Sequence, residues 1–159
     1  MKPALAALLG LLLGPALASA EQWPGWRGPR GDGASADRGS PLLWDGAKNQ
    51  NILWKTPLPG VGHASPIVWG DRLFTVACRE DRQERALLCL DRSNGTILWE
   101  RTVVTAPLEK KHRLNSYASS TPATDGRLVY VSFLDRDRML VTAYDFQGNQ
   151  RWLVHPGEF

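Results

Sequence analysis

Short apolar runs separated by turn residues dominate the chain from residue 65 onward. Four runs fill residues 65–103 and four more fill residues 121–154, each rich in Val, Ile, Leu, Phe and Thr. Runs of this length, bounded by Gly, Asn and Asp, predict β-strands. No long stretch has the 3.6-residue period of an amphipathic helix. The pattern therefore predicts an all-β fold.

The two groups of runs repeat one another. SPIVWGDRLFTV (65–76) returns as TPATDGRLVYVS (121–132), with hydroxyl residue, proline, apolar pair, tight turn and alternating strand in the same order. The predicted strands are 65–69, 72–79, 85–92 and 96–103 in the first unit and 121–124, 127–134, 139–146 and 149–154 in the second. A repeat of about 50 residues is typical of stacked structural units. We expect each unit to be a four-stranded antiparallel sheet.

The last two strands of each unit carry a sharper motif, seen in LCLDRSNGTILW and TAYDFQGNQRW. The motif residues are Asp91, Gly95 and Trp99 in the first unit and Asp145, Gly148 and Trp152 in the second. This pattern resembles the AxDxxxGxxxW repeat of the PQQ-binding-like, or quinoprotein-like, β-propeller proteins. The opening WPGWRGPRGDGAS is similar to the start of exported members. The resemblance implies a partial β-propeller, with about six to eight blades in the full-length protein.

A third copy of the motif strand stands alone before the repeats. NILWKTPL, residues 51–58, has the shape of a fourth strand, with Trp54 in the place of Trp99. In closed propellers an N-terminal outer strand completes the last blade. We therefore expect residues 51–58 to be a lone outer strand, with Trp54 lacking a partner within this chain. We also expect the chain to be the N-terminal piece of a longer protein.

The N-terminus reads as a secretory signal peptide over residues 1–20. Lys2 precedes an apolar core, and Ala18-Ser19-Ala20 is a small-x-small cleavage site. The apolar core is too short to span a bilayer, and no cysteine follows it, so we expect neither a transmembrane segment nor a lipid anchor. The expected location is periplasmic or secreted. The remaining predicted regions are an extended arm (21–50), a blade (59–105), and a long loop with the second blade (106–159).

Charge and cysteine content narrow the picture further. Without Lys2 the mature chain has 18 basic and 16 acidic residues, a net charge of +2, which does not indicate nucleic-acid binding. Cys78 and Cys89 lie symmetrically about the charged tip at residues 82–85, where a simple hairpin would place them opposite each other. A disulfide is one interpretation, and two small buried hydrophobic residues are the other.

Function is expected on the loops that lead into the innermost strands. These loops are residues 59–66 and the long segment 106–122, and either could bind a partner or pack over the channel mouth. The candidate binding residues are His63, His112, Arg113, Asn115, Tyr117 and Ser119.

The family resemblance implies two function classes. One is a non-catalytic scaffold that binds other proteins, like the family's outer-membrane assembly propellers. The alternative is part of a PQQ-dependent dehydrogenase that oxidises alcohols or sugars. Since no adjacent cysteine pair or calcium motif is recognisable, we assign no catalytic, cofactor or metal residue. We favour the scaffold without bound PQQ.

Overall fold

A computed structural model describes residues 20–158, which contain two four-stranded antiparallel sheets. The first sheet consists of β1 (Ile67–Trp69), β2 (Arg72–Arg79), β3 (Glu84–Asp91) and β4 (Ile97–Thr105), in that order. The second consists of β5 (Ala123–Thr124), β6 (Leu128–Asp135), β7 (Arg138–Asp145) and β8 (Gln150–Glu158). Each observed strand overlaps the corresponding predicted one. The predicted all-β fold and its four-stranded antiparallel blades are confirmed.

The two sheets pack face to face through one hydrophobic core. We call the contributing side of the first sheet its forward face, formed by Phe74, Val76, Cys78, Leu87 and Cys89. The opposing side of the second sheet is its rear face, formed by Val129, Val131, Phe133, Leu140 and Tyr144. Alternate residues of a strand point to opposite sides, so each sheet has both faces. Burial of the two facing rows is the main contact between the blades.

The remaining two faces differ in burial. The rear face of the first sheet is also buried, through Ala77, Ala86, Leu88 and Leu90. The forward face of the second sheet is largely half-buried, and its members are Tyr130, Ser132, Leu134, Met139, Val141 and Ala143. Only Ala143 among them is fully buried. One side of the second blade therefore remains open to solvent.

Trp99 joins the outer strand of the first blade to the turn of the second blade. The Trp99 indole donates to the Phe146 carbonyl at 2.9 Å, and the Arg101 guanidinium donates to the Gly148 carbonyl at 2.8 Å. Gly148 has a φ of +82°, and a Cβ there would lie 3.0 Å from the Trp99 ring. Glycine is required at this turn both by the left-handed backbone and by the close approach of the ring.

Trp54 makes the same contact with the first blade, so the expectation that it lacks a partner was wrong. Its indole donates to the Arg92 carbonyl at 2.9 Å, and the Thr56 hydroxyl donates to the Gly95 carbonyl at 2.6 Å. A Cβ on Gly95 would lie only 2.4 Å from the Trp54 ring. Residues 52–58 nevertheless form no strand in the described structure. We attribute this to the absence of an adjacent strand with which the backbone could pair.

The arm at residues 21–50 is folded back on itself, which corrects the expectation of an extended segment. Gly33 donates its backbone N–H to the Arg27 carbonyl, and Asp45 pairs with Gln50. The start of the arm is attached to the first sheet, because Trp23 exchanges two backbone hydrogen bonds with Val68. The glycines of this segment provide the tight turns that the reversal requires.

The expected cross-strand placement of the cysteines was also wrong. Cys78 lies opposite Arg85, and Cys89 lies opposite Phe74. The turn is formed by residues 80–83, two residues earlier than the assumed tip, so the partners shift by four positions. Four residues of strand span about 13 Å, too far for a disulfide. Both thiols are free and buried, and burial raises the pKa of Cys89 to about 12.

Candidate functional site

The two loops that precede the innermost strands pack against each other. The backbone N–H of His63 donates to the Ser116 hydroxyl at 3.0 Å and to the Ala118 carbonyl at 3.1 Å. The N–H of Ser65 donates to the Thr121 hydroxyl at 3.1 Å. Loop 59–66 and loop 106–122 therefore form one continuous surface, which we call the loop face.

Arg85 anchors the beginning of the long loop from beneath. Its side chain is 1% exposed, and its guanidinium donates to the Ala106 carbonyl at 2.6 Å and to the Glu109 carboxylate at 2.5 Å. A third, longer bond at 3.4 Å reaches the carbonyl of Pro107. A buried charge is stable in a protein only when it is paired and hydrogen-bonded, and Arg85 meets both conditions. The negative charge of Glu109 is therefore already neutralised by an ion pair within the protein.

From the sequence, Arg85 was expected at the boundary between a charged tip (82–85) and the third strand (85–92), and its anchoring role was not predicted. The available signal was its position in ERALLCL, where Arg85, Leu87 and Cys89 alternate and share one face of a strand. An arginine in register with two apolar residues points into the core beside them. Reading that alternation requires the correct turn, which the sequence analysis placed two residues too late.

Tyr117 lies between two cations at the centre of the loop face. The Lys111 ammonium is 4.8 Å from the centre of the Tyr117 ring, and the Arg85 guanidinium carbon is 5.9 Å from it. A cation within about 6 Å of an aromatic ring is attracted by the electron-rich face. Tyr117 thus connects the buried anchor to the basic segment of the loop.

A concave pocket of about 440 Å³ opens beside Tyr117. Its apolar lining comes from Phe133, Leu134 and Met139 of the second blade. The loop supplies the polar lining, which consists of Glu109, Lys110, Lys111, His112, Asn115, Ser116, Ser119 and Ser120. The pocket combines an apolar floor with a basic rim, because Glu109 is already paired with Arg85.

The structure brings four of the six candidate residues to this pocket: His112, Asn115, Tyr117 and Ser119. His63 lines a neighbouring depression together with Trp26, Ser65, Ser119 and Thr121, so Ser119 borders both. Arg113 is exposed and lines neither. The predicted residues therefore belong to one face, but they do not converge on a single point.

The serines and Asn115 hold the loop in shape. The Ser119 hydroxyl lies 2.9 Å from that of Ser116 and donates to the Ser116 carbonyl at 2.8 Å. It also contacts the Asn115 amide oxygen. These bonds satisfy loop backbone and side chains, so Asn115 and Ser119 shape the wall of the pocket.

Between residues 20 and 158, no three His, Cys, Asp or Glu side chains lie close enough together to hold a metal ion. Over the same range no helix is long and apolar enough to cross a membrane. What the loop face presents is a basic rim, one aromatic ring and an apolar floor.

Stacked four-stranded antiparallel sheets, with the outer-strand Trp99 of the first blade seated on the turn of the second, define a partial β-propeller. The family profile described as outer membrane protein assembly factor BamB, a PQQ-repeat family, matches residues 34–157. The chain therefore belongs to this family, as the repeat motif indicated. The comparison with curated proteins gives no significant match.

Proposed function

We propose that this chain is part of an exported, non-catalytic β-propeller that binds partner proteins through its loop face. The observation that carries the proposal is the anchoring of the start of a long basic loop by the ion pair between the buried Arg85 and the partly exposed Glu109. A loop held this firmly presents Lys111 and Tyr117 in a fixed position, which lowers the entropy lost on binding. Aromatic and basic side chains around an apolar pocket are typical of protein-binding surfaces.

Family membership supports the same proposal. The matching family is named for a protein that assembles outer membrane proteins, and such propellers are typically extracytoplasmic. The predicted signal peptide agrees with an extracytoplasmic location. Residues 1–19, where most of that signal lies, fall outside the described residues. We propose that the mature protein is periplasmic or secreted, without a lipid anchor.

The test is site-specific photo-crosslinking in the producing cell. A photoreactive amino acid replaces Lys111 on the loop face, and the control position is Asn94, an exposed residue of the β3–β4 turn. We expect a discrete crosslinked protein from position 111 and none from position 94. Lys111→Glu should weaken the purified complex and lower the melting temperature only slightly, since the contact that it removes, with the Tyr117 ring, is partly exposed to solvent. Equal crosslinking from both positions would contradict the proposal.

The alternative function, a PQQ-dependent dehydrogenase, predicts a different result. We propose that PQQ is not a ligand of this chain, since no tryptophan on which a planar quinone could stack is among the described residues that line the pocket. Titration with PQQ and calcium, followed by tryptophan fluorescence, separates the two functions. Saturable quenching at micromolar PQQ would favour the dehydrogenase.

A further inference from the structure

The folded arm converges on the backbone nitrogen of Glu21. Both carboxylate oxygens of Asp37 lie 3.1 Å from that nitrogen. A peptide N–H has one hydrogen to donate, whereas an ammonium group has three and carries a positive charge. Two equidistant carboxylate oxygens suit an ammonium better than an amide, because both oxygens can then accept a full hydrogen bond.

The side chain of Glu21 fastens the same loop at a second point. Its carboxylate accepts hydrogen bonds from the Arg30 guanidinium at 2.5 Å and from the Ser35 hydroxyl and the Ala36 N–H at 2.8 Å each. The Arg30 bond, followed by those of Ala36 and Ser35, lowers the pKa of the Glu21 carboxyl to about 2. Residues 30–37 therefore fold around Glu21, which contacts them through both its backbone nitrogen and its side chain.

Glu21 directly follows the predicted cleavage site Ala18-Ser19-Ala20. We propose that signal removal creates an α-ammonium at Glu21, which the Asp37 carboxylate binds, and that this ion pair locks the arm of the mature protein. Hydrolysis of the Ala20–Glu21 peptide bond by water leaves a carboxylate on Ala20 and a free amine on Glu21, which is protonated at neutral pH. Before cleavage the same nitrogen is a neutral amide.

The ion pair between Glu21 and Asp37 is important because the residues next to Glu21 attach the arm to the two blades. Trp23 exchanges backbone hydrogen bonds with Val68 of β1, and the Pro24 carbonyl accepts one from the Thr124 N–H of β5 at 2.9 Å. These residues begin two positions after Glu21, so holding Glu21 in place favours their pairing with both innermost strands. Processing of the signal would thus be coupled to docking of the arm across the two blades.

This inference rests on the proposed export in one respect, which is the position at which the signal peptide is cleaved. N-terminal sequencing of the exported protein tests that position separately: a start at Glu21 supports it, and any other start contradicts it. The ion pair itself is tested on purified chains that begin at Glu21 or retain Ala20, each with Asp37 or Asp37→Asn. Asp71→Asn is the matched control, because Asp71 is an exposed carboxylate in the β1–β2 turn.

The readout is amide hydrogen exchange at Trp23 and Val68, the residues that pair the arm with β1. An exposed ion pair of ordinary strength predicts exchange about two- to five-fold faster for Asp37→Asn in the chain that begins at Glu21. Asp37→Asn should have little effect when Ala20 is retained, and Asp71→Asn little effect in either chain. In addition, Asp37→Asn should speed acetylation of the Glu21 amine. Equal effects of Asp37→Asn in both chains, or unchanged acetylation, would overturn the proposal.

Discussion

The two blades have the same strand order and the same repeat motif, but they differ in how their faces are covered. The first blade is buried on both sides, whereas the second is buried only on the side that meets the first. Leu87 and Val141 occupy equivalent positions on the two forward faces, counted from the motif aspartates. Leu87 is 0% exposed, while Val141 is half-buried.

This difference shows that the forward face of a blade is buried by the blade that packs against it. Both forward faces carry apolar residues at matching positions, and both include an aromatic residue packed against the outer-strand tryptophan. Phe74 lies 6.0 Å from Trp99, and Tyr130 lies 6.0 Å from Trp152, between ring centres. Among the described residues, only the first pair receives a ring from the next blade, that of Phe146, whose centre is 5.0 Å from that of Phe74. The stability of each unit therefore depends on its interface with the next unit.

The largest expected effect comes from truncating the two equivalent forward-face residues. Leu87→Ala removes a fully buried side chain and should lower the free energy of unfolding by about 2–5 kcal/mol. Val141→Ala should cost less than about 1 kcal/mol, because the lost side chain is already partly in water. Urea unfolding followed by tryptophan fluorescence measures both. Similar losses would refute the inequality of the two faces.

The next largest effect tests whether Trp54 docks as Trp99 does. Gly95→Ala pays for a φ of +75° and for a clash with the Trp54 ring, so we expect a loss of about 2–4 kcal/mol. Gly31→Ala is the control, since its φ is +70° but nothing lies within 4 Å of a Cβ there. It should cost only about 1 kcal/mol. Thermal melts of both variants measure the loss of stability. Equal losses for Gly95→Ala and Gly31→Ala would show that Trp54 is not held at the turn.

A smaller effect distinguishes the anchors of the two blades. Arg85 of the first blade is equivalent to Met139 of the second, so Arg85→Met gives both blades the same residue. Glu109 then loses its partner, and we expect a loss of about 1–3 kcal/mol with faster trypsin cleavage after Lys111. Adding Glu109→Gln should recover part of the loss. If Arg85→Met leaves cleavage unchanged, the anchor does not hold the loop.

The smallest effect concerns a polar contact that the first blade lacks. The N–H groups of Leu128 and Arg127, followed by the Tyr130 hydroxyl, lower the pKa of Asp125 to about 2. Because the pKa of this carboxyl is lower in the folded protein than in the unfolded chain, its ionised form stabilises the fold at pH values above the ordinary pKa of 3.8. This stabilisation disappears as the pH falls toward 2.

Tyr130→Phe removes one of these bonds, while Phe74 at the equivalent place in the first blade does not titrate. NMR of the Arg127 amide should therefore show a titration midpoint near pH 2, which Tyr130→Phe moves upward. An unmoved midpoint would show that the hydroxyl does not contribute.

The sequence predicted the strands well because each blade is a local unit. Gly and Asp residues mark the turns between strands, and the apolar alternation marks the faces, so β2 was predicted at its observed bounds of Arg72–Arg79. The loop face was also predicted, because the loops between blades follow directly from the strand order. These features depend on residues that are close together in the sequence, so a single sequence is enough to predict them.

The features that the sequence did not predict depend on register and on distant contacts. The turn at residues 80–83 contains a left-handed Gln83 rather than a glycine, so the hairpin tip was misplaced. That error produced both the disulfide interpretation of Cys78 and Cys89 and the assignment of Arg85 to the tip. The fold of the arm was missed because it is held by side chains such as Glu21 and Asp37, which are 16 positions apart.

The most direct test of the central claim is light scattering with size-exclusion chromatography on residues 21–159. The claim is that the forward face of the second blade is an uncovered interface, so we predict association that rises with concentration. Val141→Glu, which places a charge on that face, should reduce the association, while Asp71→Asn in an exposed turn should not. A monomer at all concentrations with a sharp, cooperative melt would contradict the claim.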